Sequence, residues 1–257
     1  MSATLRLKSA LVASPFEGVA KSLQWAAGLR FRSSHPELAE LFLEEKRLPE
    51  VLRRLLTKSS NVLDIGCHLG SFLSLARRVA PAGHHIAIEA SPTKAAWLAR
   101  KFPDVQVKQV AVSDHTGKAT FEENIRNPGF SRLQDSHPST DPVNRYEVTV
   151  TTLDALDIQH RVDFVKIDIE GAELAAFRGG AAFIAANRPK ILFECGADAN
   201  AGLDRRALFD HVTEEMAYDI FTFGDFLHNK GPLGFDEFRK CGVYPFRAFN
   251  FVALPRI

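Results

Sequence analysis

Apolar positions along this chain follow two alternating rhythms. Leu38, Leu41, Phe42, Leu48, Val51, Leu52, Leu55 and Leu56 fall near helical spacing. Ser34-His-Pro-Glu37 reads as a capping box before them, and Pro49 as a break inside the helix. Lys58-Ser-Ser-Asn61 is a turn, and Val62-Leu-Asp-Ile65 is a short apolar run ending in a glycine-bearing turn. Helices are then predicted over Phe72–Val79, over Pro92–Lys101, from Glu173 and over Asp204–Glu215. Core strands are predicted at Ile86–Ile88, Val105–Val112, Phe164–Asp168 and Ile191–Phe193, with Ile220–Phe223 and Phe249–Leu254 closing the chain. Val148–Thr151 has strand character and is expected to pair with Ala119–Phe121. Between them Glu122–Arg145 reads as a polar loop, long enough to act as a lid or specificity element. His84 and His85 read as turn residues.

Strands alternating with helices imply an α/β fold built on a doubly wound, mostly parallel seven-stranded sheet of Rossmann-like type. The last two strands have no clear helix between them, which predicts an antiparallel strand at the end of the chain. The expected organisation is a helical N-terminal extension over residues 1–58, packed on a single domain over residues 59–257.

Composition narrows the function. A net charge of +1 over 257 residues gives no overall field for a nucleic-acid backbone or an anionic membrane, so a nucleic-acid partner is not expected. A local basic patch remains compatible with that total. Cys67, Cys195 and Cys241 form neither a disulfide framework nor a zinc signature, and reduced thiols in the cytoplasm are the simplest reading. No apolar run is long enough to span a bilayer. The stretch to Ser34 carries Arg6, Lys8, Lys21, Arg30 and Arg32 against Glu17. It superficially suits a mitochondrial presequence, and a helical extension lying on the domain is the preferred reading.

In an open α/β sheet, ligands bind beyond the carboxyl ends of the strands. The first strand runs into Asp64-Ile-Gly66-Cys67-His68-Leu-Gly70, whose glycines allow a ligand close to bare backbone. Asp64 is placed to favour a cationic cofactor. The turn lacks the middle glycine of Gly-x-Gly-x-x-Gly and so suits an amino-acid moiety better than a diphosphate. The second strand ends at Glu89, where an acid can bind both hydroxyls of a ribose.

Val62-Leu-Asp-Ile-Gly-Cys-His-Leu-Gly70, Ile88-Glu-Ala-Ser-Pro92, Ala111-Val-Ser-Asp114, Thr152-Leu-Asp154 and Val165-Lys-Ile-Asp-Ile-Glu-Gly-Ala-Glu173 occur in that order. Together they resemble the FkbM-type methyltransferases, a branch of the class I S-adenosylmethionine-dependent fold. The resemblance implies S-adenosylmethionine as cofactor. It also implies O-methylation of a small-molecule or glycan acceptor: a sugar, glycolipid, polyketide or similar metabolite. Carried over by position, Asp64, Gly66, Cys67, His68 and Gly70 would surround the methionine end. Glu89 and Ala90 would meet the ribose, and Ala111, Val112 and Asp114 would lie near the adenine. Asp114 is equally readable as a turn residue. The family usually has Ala-Asn where this chain has Cys67-His68.

Methyl transfer needs an aligned acceptor and a place for its proton. Strand alternation puts Lys166 and Asp168 on one side of the fourth strand, with Glu170 at its lip and Glu194 ending the fifth strand opposite. Asp168 is the preferred base or acceptor anchor, and His68 is an alternative base. Two carboxylates also suit a divalent metal, which is not favoured. Glu173 reads as a helix-start acid. Asn124, Arg126, Asn127, Ser131 and Arg132 are candidates to meet acceptor hydroxyls. Homodimerisation stays open. A nicotinamide-dependent oxidoreductase and a non-catalytic nucleotide-binding module are the competing functions.

Overall fold

The computed structural model describes residues 10–14, 16–125, 131–133, 142–197 and 204–256. Helices come first: α1 (Glu17–Ala27), α2 (Leu29–Ser34) and, after a 3-10 turn at Pro36–Leu38, α3 (Ala39–Leu55). The alternating part follows with β1 (Val62–Ile65), α4 (Ser71–Val79), β2 (His85–Ile88), α5 (Pro92–Lys101) and β3 (Gln106–Lys108). Next come β4 (Ala111–Val112), β5 (Gly117–Asn124), β6 (Arg132–Leu133) and β7 (Val143–Thr151). The chain then forms β8 (Phe164–Ile167), α6 (Glu173–Arg178), α7 (Ala181–Asn187), β9 (Lys190–Glu194) and α8 (Arg205–Asp210), continued by a π-helical turn at His211–Glu215. It closes with β10 (Tyr218–Thr222), α9 (Phe223–Leu227), α10 (Phe235–Cys241) and β11 (Asn250–Pro255).

Seven strands form one sheet in the order β10-β11-β9-β8-β1-β2-β3. β1 pairs in parallel with β2 and β8, and β8 with β9. The last strand, β11, is the antiparallel one and lies between β9 and β10. Every residue of β1, β2 and β8 is buried, because a parallel sheet is covered on both faces. Alternate residues serve opposite faces. Leu63, Ile65, Val165, Ile167 and Phe193 enter one apolar cluster, whereas Val62, Phe164, Leu192 and Val252 enter another. Val51, Leu52 and Leu55 of α3 fill that second cluster, so α3 covers a face of the sheet.

Several local expectations change. Pro49 lies inside an unbroken 17-residue α3. The residue whose carbonyl loses its donor there, Glu45, is exposed, so water can replace the missing N–H. No capping box forms at Ser34, whose hydroxyl donates backwards to the Phe31 carbonyl. The predicted third strand divides into β3 and β4, and β4 leaves for a second sheet ordered β4-β7-β5-β6.

In that sheet Ala119 pairs with Val148 as expected, but the ladder runs on to Asn124↔Val143. Glu122–Asn124 and Val143–Arg145 are therefore strand rather than loop. Their acids hid the strand because each is neutralised in place. Glu122 faces Arg145 across the ladder at 2.9 Å. Glu123 accepts from Ser91 Oγ at 3.0 Å and lies 3.3 Å from Lys94 Nζ. Arg126 and Asn127 lie outside the described residues, as does the side chain of Arg132. His85 opens β2, with Nε2 2.8 Å from the Ala80 carbonyl, and His84 stacks on His160.

Candidate functional site

The strand order reverses between β1 and β8, so the loops leaving them diverge and open a crevice. Gly66 leaves β1 at φ +81°, and a Cβ there would come within 1.8 Å of the Asp168 carbonyl oxygen. Only glycine permits that approach, which locks the β1 turn against the end of β8. Gly70 adopts φ +78° ahead of α4, against Phe102 and Leu98. His68 also takes a positive φ, +50°, and its N–H donates to Glu89 Oε2 at 2.8 Å. Asn and His are among the side chains that tolerate this backbone region. The Asn-to-His departure from the family pattern thus keeps the turn.

Two cavities meet at this point. The first, of about 260 Å³, runs from the β1 turn past Glu89 and Ala90 to Val110, Ala111 and Val112, with Phe121, Ser131 and Leu133 of the second sheet at its side. The other, of about 600 Å³, lies between α3 and α4 beneath the α1 segment, with walls that include Leu41, Leu48, Phe72 and Leu75. Gly66, His68, Asp168 and Glu194 line both.

Charge at the junction is ordered by Lys166. Its Nζ lies 2.8 Å from Asp168 Oδ2 and 3.8 Å from Asp64 Oδ1, and Asp64 is its register partner across β1 and β8. Burial opposes the Lys166 charge, but the two aspartates outweigh it and hold the ammonium firmly protonated. Burial likewise pushes Asp168 up, yet the Lys166 charge and hydrogen bonds from Lys166 and Glu194 bring it below the usual carboxylate range. Glu194 moves the other way: burial first, then the Asp168 charge, raise it. The two carboxyls are therefore pushed apart, Asp168 towards its ionised form and Glu194 towards its protonated form, and they titrate together. Burial, followed by the charges of Asp168 and Glu173, lifts Glu170 to about 8.

Asp64 is fully buried beneath the turn, with Lys166 Nζ 3.8 Å from Oδ1. Burial raises its pKa. Cys67 donates to the Asp64 carbonyl at 2.9 Å and lines only the larger cavity. Burial, with Asp64 and Glu89 nearby, keeps it a thiol. Glu89 is 5% exposed and receives one N–H on each oxygen, from His68 and Ser91, leaving one lone pair on each for a ligand. Gly70 supports the turn from behind, and Asp114 stays at the surface beside His115. Glu173 accepts from the N–H groups of Ile169 and Gly171, clamping the loop that carries Glu170 at φ +55°. Asp154 accepts from Ala182 and Phe183 N–H at the start of α7.

A model of the methyltransferase FkbM domain matches residues 64–223. The chain belongs to this family. Among solved structures, it resembles an FkbM methyltransferase from Methylobacillus flagellatus KT, with 17% identity and a TM-score of 0.49. That likeness covers 77% of this chain and 44% of the other, so the chain spans less than half the length of that relative. It also resembles a TehB-like SAM-dependent methyltransferase from Corynebacterium glutamicum, with 10% identity and a TM-score of 0.42 over 82% of this chain and 88% of the other. No curated protein matches the chain. The seven-stranded sheet with its antiparallel last strand is the class I methyltransferase arrangement.

Sequence reasoning missed Phe121 and Leu133, which lie on β5 and β6 and line the crevice beside Ser131, a residue singled out as an acceptor contact. It also missed α3. Glu44 of that helix accepts from Phe249 N–H, Asn250 N–H and Asn250 Nδ2, tying α3 to β11 at the larger cavity. Helical periodicity alone marked α3 as amphipathic, but no signal said what its inner face would line. Among the described residues, no group of three or more His, Cys, Asp or Glu is arranged to hold a metal.

Proposed function

We propose that this chain is an S-adenosylmethionine-dependent O-methyltransferase. The observation that carries the reading is the meeting of two cavities at Asp168, whose Oδ2 lies 2.8 Å from Lys166 Nζ. One cavity fits a nucleoside, with Glu89 at its middle and apolar walls at Val110, Val112 and Phe121 for a flat base. Gly66 leaves room that a Cβ would fill, and the buried Asp64 carboxyl adds negative character beneath the turn. When bound, S-adenosylmethionine supplies a sulfonium-activated methyl group. A hydroxyl reaching Asp168 from the larger cavity lies within range of a carboxylate that Lys166 keeps ionised. A hydroxyl oxygen becomes strongly acidic as a methyl attaches, so even a weak base suffices to take its proton. Glu194 holds Asp168 in orientation, and Lys166 fixes its charge.

Titration calorimetry with S-adenosylhomocysteine and with NAD tests the cofactor half of the proposal. Binding of the former alone is expected; binding of NAD instead would favour an oxidoreductase. Screening hydroxylated metabolites with methyl-labelled cofactor tests the acceptor half, and label found only on nitrogen would refute O-methylation.

A further inference from the structure

Glu89 has a demanding task when a ribose sits against it. Its oxygens already accept N–H groups from His68 and Ser91, one on each. An ionised carboxylate offers about four lone-pair positions, so one remains on each oxygen for a ribose hydroxyl. A proton on Glu89 would occupy one of them. The acid therefore has to stay ionised, and its surroundings oppose that: it is buried, and burial pushes its carboxyl up.

Lys94 supplies the opposing charge. It stands in the first turn of α5 and is 2% exposed, a degree of burial that lysines seldom reach unless paired. Glu123 of β5 lies 3.3 Å from its Nζ. Ser91 fixes this geometry. Fully buried, it caps α5 by accepting from the Lys94 N–H, donates its hydroxyl to Glu123 Oε1 at 3.0 Å and gives its own N–H to Glu89 Oε1 at 2.9 Å. Tyr146 of β7 donates to the other Glu123 oxygen at 3.3 Å.

Glu89 and Lys94 line the same cavity. The titratable groups that act on Glu89 come from three elements: Lys94 from α5, Glu123 from β5 and the Cys67 thiol from the β1 turn. His68 of the same turn meets it through its backbone N–H. Lys94 is the cation of this set, and its charge is the chief influence working against burial at Glu89. Lys94 also acts on Glu170, which lines the cavity too.

We propose that Lys94 is a positioning residue: it holds Glu89 in the ionised form that a ribose needs, and Glu123 of the second sheet holds Lys94 in place. The ribose in that statement rests on the methyltransferase reading; the charge assignment does not.

Titration calorimetry with S-adenosylhomocysteine at several pH values tests the proposal, beside carbon NMR of the Glu89 carboxyl in the unliganded chain, assigned by its loss in Glu89→Gln. Lys94→Met keeps the apolar stem and removes the charge. It should bind S-adenosylhomocysteine about tenfold or more weakly than the parent at pH 6, where proton uptake by Glu89 competes, and within about twofold of it at pH 9. The Glu89 carboxyl should also titrate at higher pH in the variant. Because Lys94→Met strands Glu123, the double variant Lys94→Met, Glu123→Gln is measured with it. A loss in the same direction is expected there, since Lys94 acts on Glu89 more strongly than Glu123 does. An affinity gap equal at pH 6 and pH 9 overturns the proposal, because lost packing or a lost direct contact is felt at every pH. So does a Glu89 titration unmoved in both variants. A parent that binds no S-adenosylhomocysteine at either pH sinks the methyltransferase reading instead, and the unliganded titration then decides the charge assignment by itself.

Discussion

Glu170 gives the most direct check on the electrostatics of the crevice. Burial first, then the neighbouring charges of Asp168 and Glu173, carry its pKa from 4.5 to about 8. A carboxyl raised on folding stays neutral in the native state while the unfolded chain ionises. Stability is therefore fully present below the unfolded value and falls as pH rises from about 4.5 towards about 8. At roughly 1.4 kcal/mol for each tenfold change in proton affinity, the whole difference corresponds to about 5 kcal/mol. The side chain keeps some contact with solvent, so about 2 kcal/mol is the expected penalty at pH 8. Glu170→Gln removes the ionisation and keeps the shape. Thermal unfolding of parent and variant should give nearly equal midpoints at pH 5. At pH 8 the variant should melt about 4–8 °C higher. Parallel midpoints at both pH values, or a variant less stable at pH 8, would refute the charge assignment at this loop.

Three further outcomes follow from the site. Asp168→Asn should leave S-adenosylhomocysteine affinity within about twofold and cut methyl transfer by roughly 10²–10³-fold; normal turnover in radiolabel assays would remove Asp168 from proton handling. His68→Asn should retain cofactor binding and most activity, because either side chain tolerates the positive φ, whereas His68→Val should lose about 1–2 kcal/mol in denaturant titrations. A kcat loss of about 100-fold or more in His68→Asn would instead identify the imidazole as the base. Gly66→Ala brings a methyl onto the Asp168 carbonyl at an unfavourable φ. It should cost about 3 kcal/mol or more and abolish S-adenosylhomocysteine binding, readable by calorimetry.

The β-strand–turn signatures were legible from the chain alone because each is local. Val62–Ile65 with its glycines, Glu89 at the end of a second apolar run, and Lys166–Glu173 carry their strand and turn preferences within a few residues. Those fragments also carried the resemblance that the family match bears out. What the chain alone concealed depends on partners distant in sequence. Glu122 and Glu123 looked like loop acids, but Arg145 neutralises the first across the second sheet, while Lys94 of α5 pairs with the second and Ser91 hydrogen-bonds to it. Pro49 looked like a break because the exposure of the freed carbonyl depends on where the helix lies. Asp64 is the sharpest case. Its position in the turn marked it as a candidate cofactor contact, and only the fold set its buried carboxyl 3.8 Å from Lys166 on the neighbouring strand. Sequence order determined which residues leave the strand ends, since strand and turn preference act over a few neighbours. Only the packing of the strand ends and their loops against one another decided how each of those carboxyls is buried and which way its pKa moves, because charge and desolvation act through space.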